Sequence, residues 1–98
     1  MANVTITREV SPGHGRYVAK VEGFAGEAEL TFERPTPSLV VADHTLTPVP
    51  MRGHGVATAL VERLVADARR EGFKIRPTCP FVAAQFNRHP DWSDIRAH

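Results

Sequence analysis

A turn containing two glycines is the first feature of this sequence whose residue types suggest chemistry. Residues 52–57 read Arg-Gly-His-Gly-Val-Ala and stand between an apolar segment and a long stretch with helical periodicity. The first amides of a helix lack internal partners, and the helix dipole places partial positive charge at that end. Glycine lets the backbone approach a phosphate closely, and Arg52 can add a charge-assisted hydrogen bond. The segment therefore predicts an anion-binding turn that suits a pyrophosphate.

Two common phosphate-binding motifs do not fit this turn. A Walker A loop ends in Gly-Lys-Ser or Gly-Lys-Thr, and residues 52–57 contain neither. The dinucleotide fingerprint needs a third glycine where Thr58 stands, and an acidic residue about 20 residues later, where the sequence offers Lys74. A third pattern has Arg or Gln followed by Gly after three residues and by Gly or Ala after five. Arg52, Gly55 and Ala57 fit it, and an ordinary strand-to-helix turn is the alternative.

Cys79 and His44 are the candidate catalytic residues. Cys79 precedes Pro80 at the predicted start of a helix, where a thiolate is favoured and can act as a nucleophile. Its alternative role is that of a small buried apolar residue. His44 lies late in an apolar segment and is either a general base or a side chain bonded to the backbone. No two histidines have metal-ligand spacing on one helix, so no metal site is predicted.

Periodicity predicts the elements that must position these residues. Alternating apolar residues indicate four strands, a 3.6-residue period then indicates a helix, and a short strand and a second helix follow. The predicted ranges are strands 4–8, 17–21, 28–34 and 39–47, helix 54–71, strand 73–78 and helix 80–89, with a helical turn at Trp92 and Ile95. Asp67 falls outside the apolar stripe of the long helix. The order β-β-β-β-α-β-α contains one βαβ unit, whose strands are parallel. The sequence thus predicts an α+β fold with a mixed, mostly antiparallel sheet of about five strands.

Composition excludes several classes of protein. The chain has 98 residues, enough for one domain, and 12 Lys plus Arg against 11 Asp plus Glu, which disfavours a nucleic-acid binder. No stretch reaches the roughly 18 apolar residues of a membrane span, and residues 1–11 have no apolar run of signal-peptide length. The single cysteine excludes an internal disulfide and fits a reducing compartment. We therefore expect a cytoplasmic protein.

With these motifs in order, the sequence resembles the small GCN5-related N-acetyltransferase-like (GNAT-like) family, whose members are little more than an acetyl-CoA-binding core. His44-Thr45, Pro48 and residues 52–57 match the first signature of that family. Residues 77–84 (Pro-Thr-Cys-Pro-Phe-Val-Ala-Ala) and 88–91 (Arg-His-Pro-Asp) match the second. The resemblance implies a minimal GNAT fold in which residues 1–98 form one acetyl-CoA-binding domain.

The resemblance also implies where coenzyme A would bind. The two parallel strands splay apart, and the pantetheine arm lies between them against the backbone of Thr47 and Val49. The pyrophosphate would be held by the residues of the glycine turn, which are Arg52, Gly53, His54, Gly55, Val56, Ala57 and Thr58. The thioester would lie near Cys79. Larger members of the family carry N-terminal helices that build the acceptor pocket, whereas strands begin this chain, so its acceptor side is expected to be open.

Three functions fit these expectations. The first is an N-acetyltransferase that moves an acetyl group from acetyl-CoA to an unidentified amine, a small molecule or a protein, directly or through Cys79. The second is an acyl-CoA-binding module without turnover. The third is a regulatory partner that docks another protein on the open face, and self-association into a weak homodimer would also suit that face. No nucleic acid, membrane or metal is expected as a partner.

Overall fold

The computed structural model describes residues 3–98. Its elements are β1 (Val4–Ser11), β2 (His14–Val21), β3 (Ala28–Thr36), β4 (Leu39–Leu46), α1 (Val56–Glu71), β5 (Lys74–Pro77) and α2 (Pro80–Arg88), with 3-10 turns at Val49–Met51 and Pro90–Ile95. The strands form one sheet in the order β1-β2-β3-β4-β5, in which the β4–β5 pair is parallel and the other pairs are antiparallel. The predicted α+β fold with one βαβ unit is confirmed.

The first hairpin is tighter than the sequence pattern indicated. Only Pro12 and Gly13 form its turn, and Gly13 has a φ of 79°, a conformation that favours glycine. Gly15, which the predicted strands 4–8 and 17–21 leave outside any strand, lies in β2 beneath the ring of Phe32. A Cβ built on Gly15 would lie 2.6 Å from Cζ of Phe32. This glycine is therefore required by packing inside the sheet.

Helix α1 has the predicted apolar face. Leu60, Leu64 and Ala68 are buried on it, and Gly72 ends the helix with a φ of 81° and an N–H that donates to the Ala68 carbonyl at 2.8 Å. The helix begins at Val56, two residues later than predicted, because the preceding glycine turn has a different backbone conformation. The long helix thus starts directly after the predicted anion-binding turn.

Asp67 corrects one expectation, because it lies on the buried side of α1 and is 0% exposed. The Tyr17 hydroxyl donates to its carboxylate at 2.7 Å, Arg8 and Arg63 donate at 3.3 Å, and Arg70 donates as well. Buried carboxylates are tolerated when they are paired and hydrogen-bonded. These contacts tie α1 to β1 and β2.

The sheet is covered by helices on one face. The buried side chains of α2, Val82 and Phe86, join the same core as the buried face of α1, and the two helices contact each other. The opposite face carries polar side chains such as Arg16, Thr31 and Asp43, which are half-buried or exposed. We refer to it as the open face. Between residues 3 and 98, no helix is long and apolar enough to cross a membrane.

Candidate functional site

Strands β4 and β5 pair at one end and diverge at the other. The pairing runs from Leu39 opposite Lys74 to Ala42 opposite Pro77. At that point the Ala42 carbonyl accepts hydrogen bonds from the N–H groups of both Thr78 and Cys79, each at 3.0 Å. β4 continues to Leu46, whereas the chain after Pro77 turns into α2. A gap between the two parallel strands therefore begins at Ala42.

A β-bulge lies in β4 where this gap begins. Phe32 pairs with Ala42 and Thr31 pairs with His44, so that Asp43 is the extra residue. Asp43 accepts a hydrogen bond from the Thr31 hydroxyl at 2.6 Å. Side chains alternate again after the bulge, which places His44 on the open face and Thr45 on the face toward the helices.

The glycine turn presents the N-terminal end of α1. Gly53 has a φ of 84° and Gly55, the N-cap residue, has a φ of 74°, and a Cβ on either would meet no atom within 4 Å. Arg52 donates from Nε to the Thr47 carbonyl at 3.2 Å, which holds its guanidinium beside the turn. A long helix dipole and first-turn amides that lack intrahelical partners favour an anion here.

A cavity of about 460 Å³ lies in front of this turn, a volume typical of small-molecule sites. Most of the predicted cofactor-binding residues line it, namely Thr47, Arg52, Gly53, Gly55, Val56, Ala57 and Thr58. Val49 is 69% exposed in the 3-10 turn, and the His54 ring packs edge-on against Phe24 with centroids 5.1 Å apart, so neither is among the lining residues.

Three further residues line the cavity, and the sequence did not identify them as site residues. They are Thr45 at the end of β4, Met51 in the 3-10 turn and Phe81 in the first turn of α2. Thr45 falls inside the first family signature and Phe81 inside the second. Only the structure shows that both residues line the cavity. The cavity thus joins the two signatures, which are far apart in sequence.

Cys79 lies beside this cavity as the N-cap residue of α2 and is 6% exposed. Its Sγ is 3.6 Å from Oγ1 of Thr45. Burial raises the pKa of the Cys79 thiol, but the backbone at the start of α2, near Val82 and Phe81, and the Thr45 hydroxyl outweigh it, so the pKa lies below its ordinary value. The thiol therefore ionises more readily than an unperturbed cysteine.

The structure does not bring His44 and Cys79 together on one side of β4. Thr45 faces Cys79, and His44, its neighbour in the strand, faces the open side opposite Thr31. There a second cavity of about 400 Å³ adjoins the bulge, with Glu9, His14, Arg16, Thr31, Glu33 and Asp43 among its lining residues. Within the described part of the chain, no three His, Cys, Asp or Glu residues cluster closely enough to hold a metal ion.

Comparison with known proteins supports the family assignment. A family model for GCN5-related N-acetyl-transferases matches residues 16–95. The fold is similar to the NMR solution structure of a GCN5-like protein from Staphylococcus aureus, provisionally named an N-acetyltransferase, with a TM-score of 0.70 and 20% identity over 99% of this chain and 91% of that one. No curated protein matches the chain. Since the family model spans most of the sequence, the chain belongs to the GCN5-related N-acetyltransferase family.

Proposed function

We propose that this chain is an N-acetyltransferase in which residues 1–98 form one acetyl-CoA-binding domain and Cys79 carries the acetyl group to an amine. The observation that supports it is the position of the Cys79 thiol, at a helix N-terminus and within 3.6 Å of Thr45, a residue of the cavity that adjoins the glycine turn. The family generally uses acetyl-CoA as the acetyl donor, and a cavity that is lined by the glycine turn and lies beside the Cys79 thiol supports binding of that molecule.

In this proposal the glycine turn holds the pyrophosphate. The first amides of α1 donate to it, and Arg52 supplies the positive charge. The pantetheine arm follows the backbone near Thr47 and Val49 toward the gap between β4 and β5. Each contact uses a neutral or cationic donor, as an anionic ligand requires.

The chemistry is a double displacement. The Cys79 thiolate attacks the carbonyl carbon of the thioester, a new carbon–sulfur bond forms, and coenzyme A leaves as a thiolate that takes up a proton. The acceptor amine then attacks acetyl-Cys79, loses a proton and releases the thiolate. The backbone at the start of α2, near Val82 and Phe81, lowers the pKa of the thiol and so favours the thiolate form that attacks.

His44 has a separate role in this proposal. Because it faces the open side of β4, away from Cys79, it takes no part in activating the thiol, and it accepts a proton only from an amine that enters from the open face through the gap between β4 and β5. Replacing His44 with alanine should therefore slow transfer to the amine and leave acetylation of Cys79 intact.

A non-catalytic acyl-CoA-binding or regulatory module is the second candidate. One observation favours it: the open face carries no covering helices in residues 3–98, although the larger family members that the sequence resembles build their acceptor pockets with such helices. Under this reading the protein binds acetyl-CoA and never acetylates an amine.

Calorimetry with acetyl-CoA, followed by intact mass measurement of the same mixture, tests the proposal. We expect binding, and a mass gain of one acetyl group that Cys79→Ala and Cys79→Ser both abolish while their affinity for acetyl-CoA persists. Binding without a mass gain in the wild type would contradict the role of Cys79 and favour direct transfer or the binding module. Absence of binding at millimolar acetyl-CoA would overturn the proposed function as a whole.

A further inference from the structure

Thr45 is the residue of β4 that connects the cavity to the thiol. It lines the cavity in front of the glycine turn, and its Oγ1 lies 3.6 Å from Cys79 Sγ, although the two residues are 34 positions apart in sequence. The pair is partly buried, so water competes weakly for this contact. Among the hydrogen bonds of residues 3–98, the Thr45 hydroxyl has Cys79 as its partner and no other.

The direction of this hydrogen bond depends on the state of the sulfur. A neutral thiol can donate to the hydroxyl oxygen or accept from it, but a thiolate can only accept. Deprotonation of Cys79 therefore requires the Thr45 hydroxyl to donate, and a hydrogen bond to a charged acceptor is stronger than one between neutral groups. The backbone at the start of α2 also lowers the pKa of the thiol, and it remains in place whatever residue occupies position 45.

We propose that Thr45 is a positioning residue whose hydroxyl donates to the Cys79 sulfur, holding it as a thiolate turned toward the cavity. This inference rests on the proposed function only in taking Cys79 to be the nucleophile. The groups that hold Sγ, from β4 and from α2, are neutral donors, so the effect should change little with added salt. Loss of the hydroxyl should raise the pH at which the thiol ionises by about one unit, a tenfold change in acidity.

Direct titration of the thiol tests this without any ligand. Cys79 is the only cysteine, so the ultraviolet absorbance of the thiolate, with Cys79→Ala as the blank, reports this residue alone. Thr45→Val keeps the shape and removes the hydroxyl, Thr45→Ser keeps the hydroxyl, and Thr7→Val is a matched control on the exposed face of β1. We expect a midpoint raised by about one pH unit in Thr45→Val, and midpoints near that of the wild type in Thr45→Ser and Thr7→Val.

An unchanged midpoint in folded Thr45→Val, or an equal shift in Thr45→Ser, would overturn the proposal. If Thr45→Val does not fold, Thr45→Ala, which opens space without adding a branched methyl, takes its place with the same expectation. The rate of acetyl-Cys79 formation then gives a second readout. It should be about tenfold slower than wild type below both midpoints and equal to it above both. Failure of acetyl-CoA binding would leave the titration result standing, so the two proposals fail separately.

Discussion

At the scale of the residue, the carboxylate of Asp67 is fully buried and is paired with Tyr17 and three arginines. Burial raises its pKa, but the hydrogen bond from Tyr17 and the nearby charges of Arg63 and Arg70 outweigh that effect, and the pKa lies below its ordinary range. Tyr17 is itself 0% exposed, and its pKa is raised by burial and by Asp67. Asp67 therefore stays ionised and Tyr17 stays protonated, as a hydrogen bond from the tyrosine hydroxyl to the carboxylate requires.

Replacing Tyr17 with phenylalanine tests this pair. The ring keeps its place in the core, but Asp67 loses a donor at 2.7 Å and stays buried. We expect the free energy of unfolding to fall by about 1–3 kcal/mol in urea denaturation, the usual effect of leaving one buried acceptor short of a partner. A fall below about 0.5 kcal/mol would show that the arginines satisfy the carboxylate without Tyr17.

At the scale of the element, the glycine turn and α1 act as one unit. Gly55 is in the left-handed region, and the N-terminal amides of α1 follow it directly. A Cβ at Gly55 would meet no protein atom within 4 Å, so its main effect beyond backbone strain would fall on a molecule that approaches the turn. Gly13, in the first hairpin, has a φ of 79°, close to that of Gly55, and its surroundings are equally open. It does not line the cavity in front of the glycine turn.

Gly55→Ala and Gly13→Ala therefore form a matched pair. Each should lose about 1 kcal/mol of unfolding free energy, because an alanine at positive φ is strained. Only Gly55→Ala should weaken acetyl-CoA binding, by about tenfold, the effect of one lost phosphate hydrogen bond. Calorimetry on both variants measures this, and equal affinities would place the pyrophosphate elsewhere.

At the scale of the whole molecule, a network of charges joins the sheet to α1. Arg8 of β1 bonds to Glu71 and Asp67, and Arg34 of β3 lies 3.5 Å from Glu71. The hydrogen bond from Arg8 holds the pKa of Glu71 below its usual range. The network connects β1 and β3 to α1, and its ion pairs form only when these elements are packed together. Protonation of its carboxylates should therefore lower the stability of the whole fold.

Acid should weaken this network in a defined direction. Because the pKa of Glu71 is lower in the folded state, its contribution to stability is complete above the ordinary pKa of 4.5 and is lost as the pH falls through the folded value. Glu71→Gln should therefore be less stable than wild type at neutral pH, and the difference should shrink as the pH falls below about 4. Urea denaturation across this pH range measures it.

Glu62→Gln is the control for this prediction, because Glu62 is exposed on the same helix and takes part in no ion pair within residues 3–98. It should change stability little at any pH. A difference between Glu71→Gln and wild type that stays constant with pH would mean that Glu71 acts through packing and not through its charge.

The sequence by itself determined the elements and the family. Hydrophobic periodicity predicted the strands and the long helix, since a buried face must recur at the period of its own backbone. The residues of the glycine turn are adjacent in sequence, so their types alone predicted an anion-binding turn, and in the structure all of them except His54 line one cavity. This part of the site could be predicted because it is formed by residues that are adjacent in sequence.

Only the tertiary structure decided how distant residues meet. Periodicity placed Asp67 outside the apolar stripe of α1, yet its carboxylate is buried, because Tyr17 of β2 and Arg8 of β1 supply its partners. One extra residue in β4 determines which face each later side chain takes, and a sequence pattern does not reveal a bulge. The contact of Thr45 with Cys79 needs the βαβ crossover to bring two signatures together, and so the surroundings of the thiol were visible only in three dimensions.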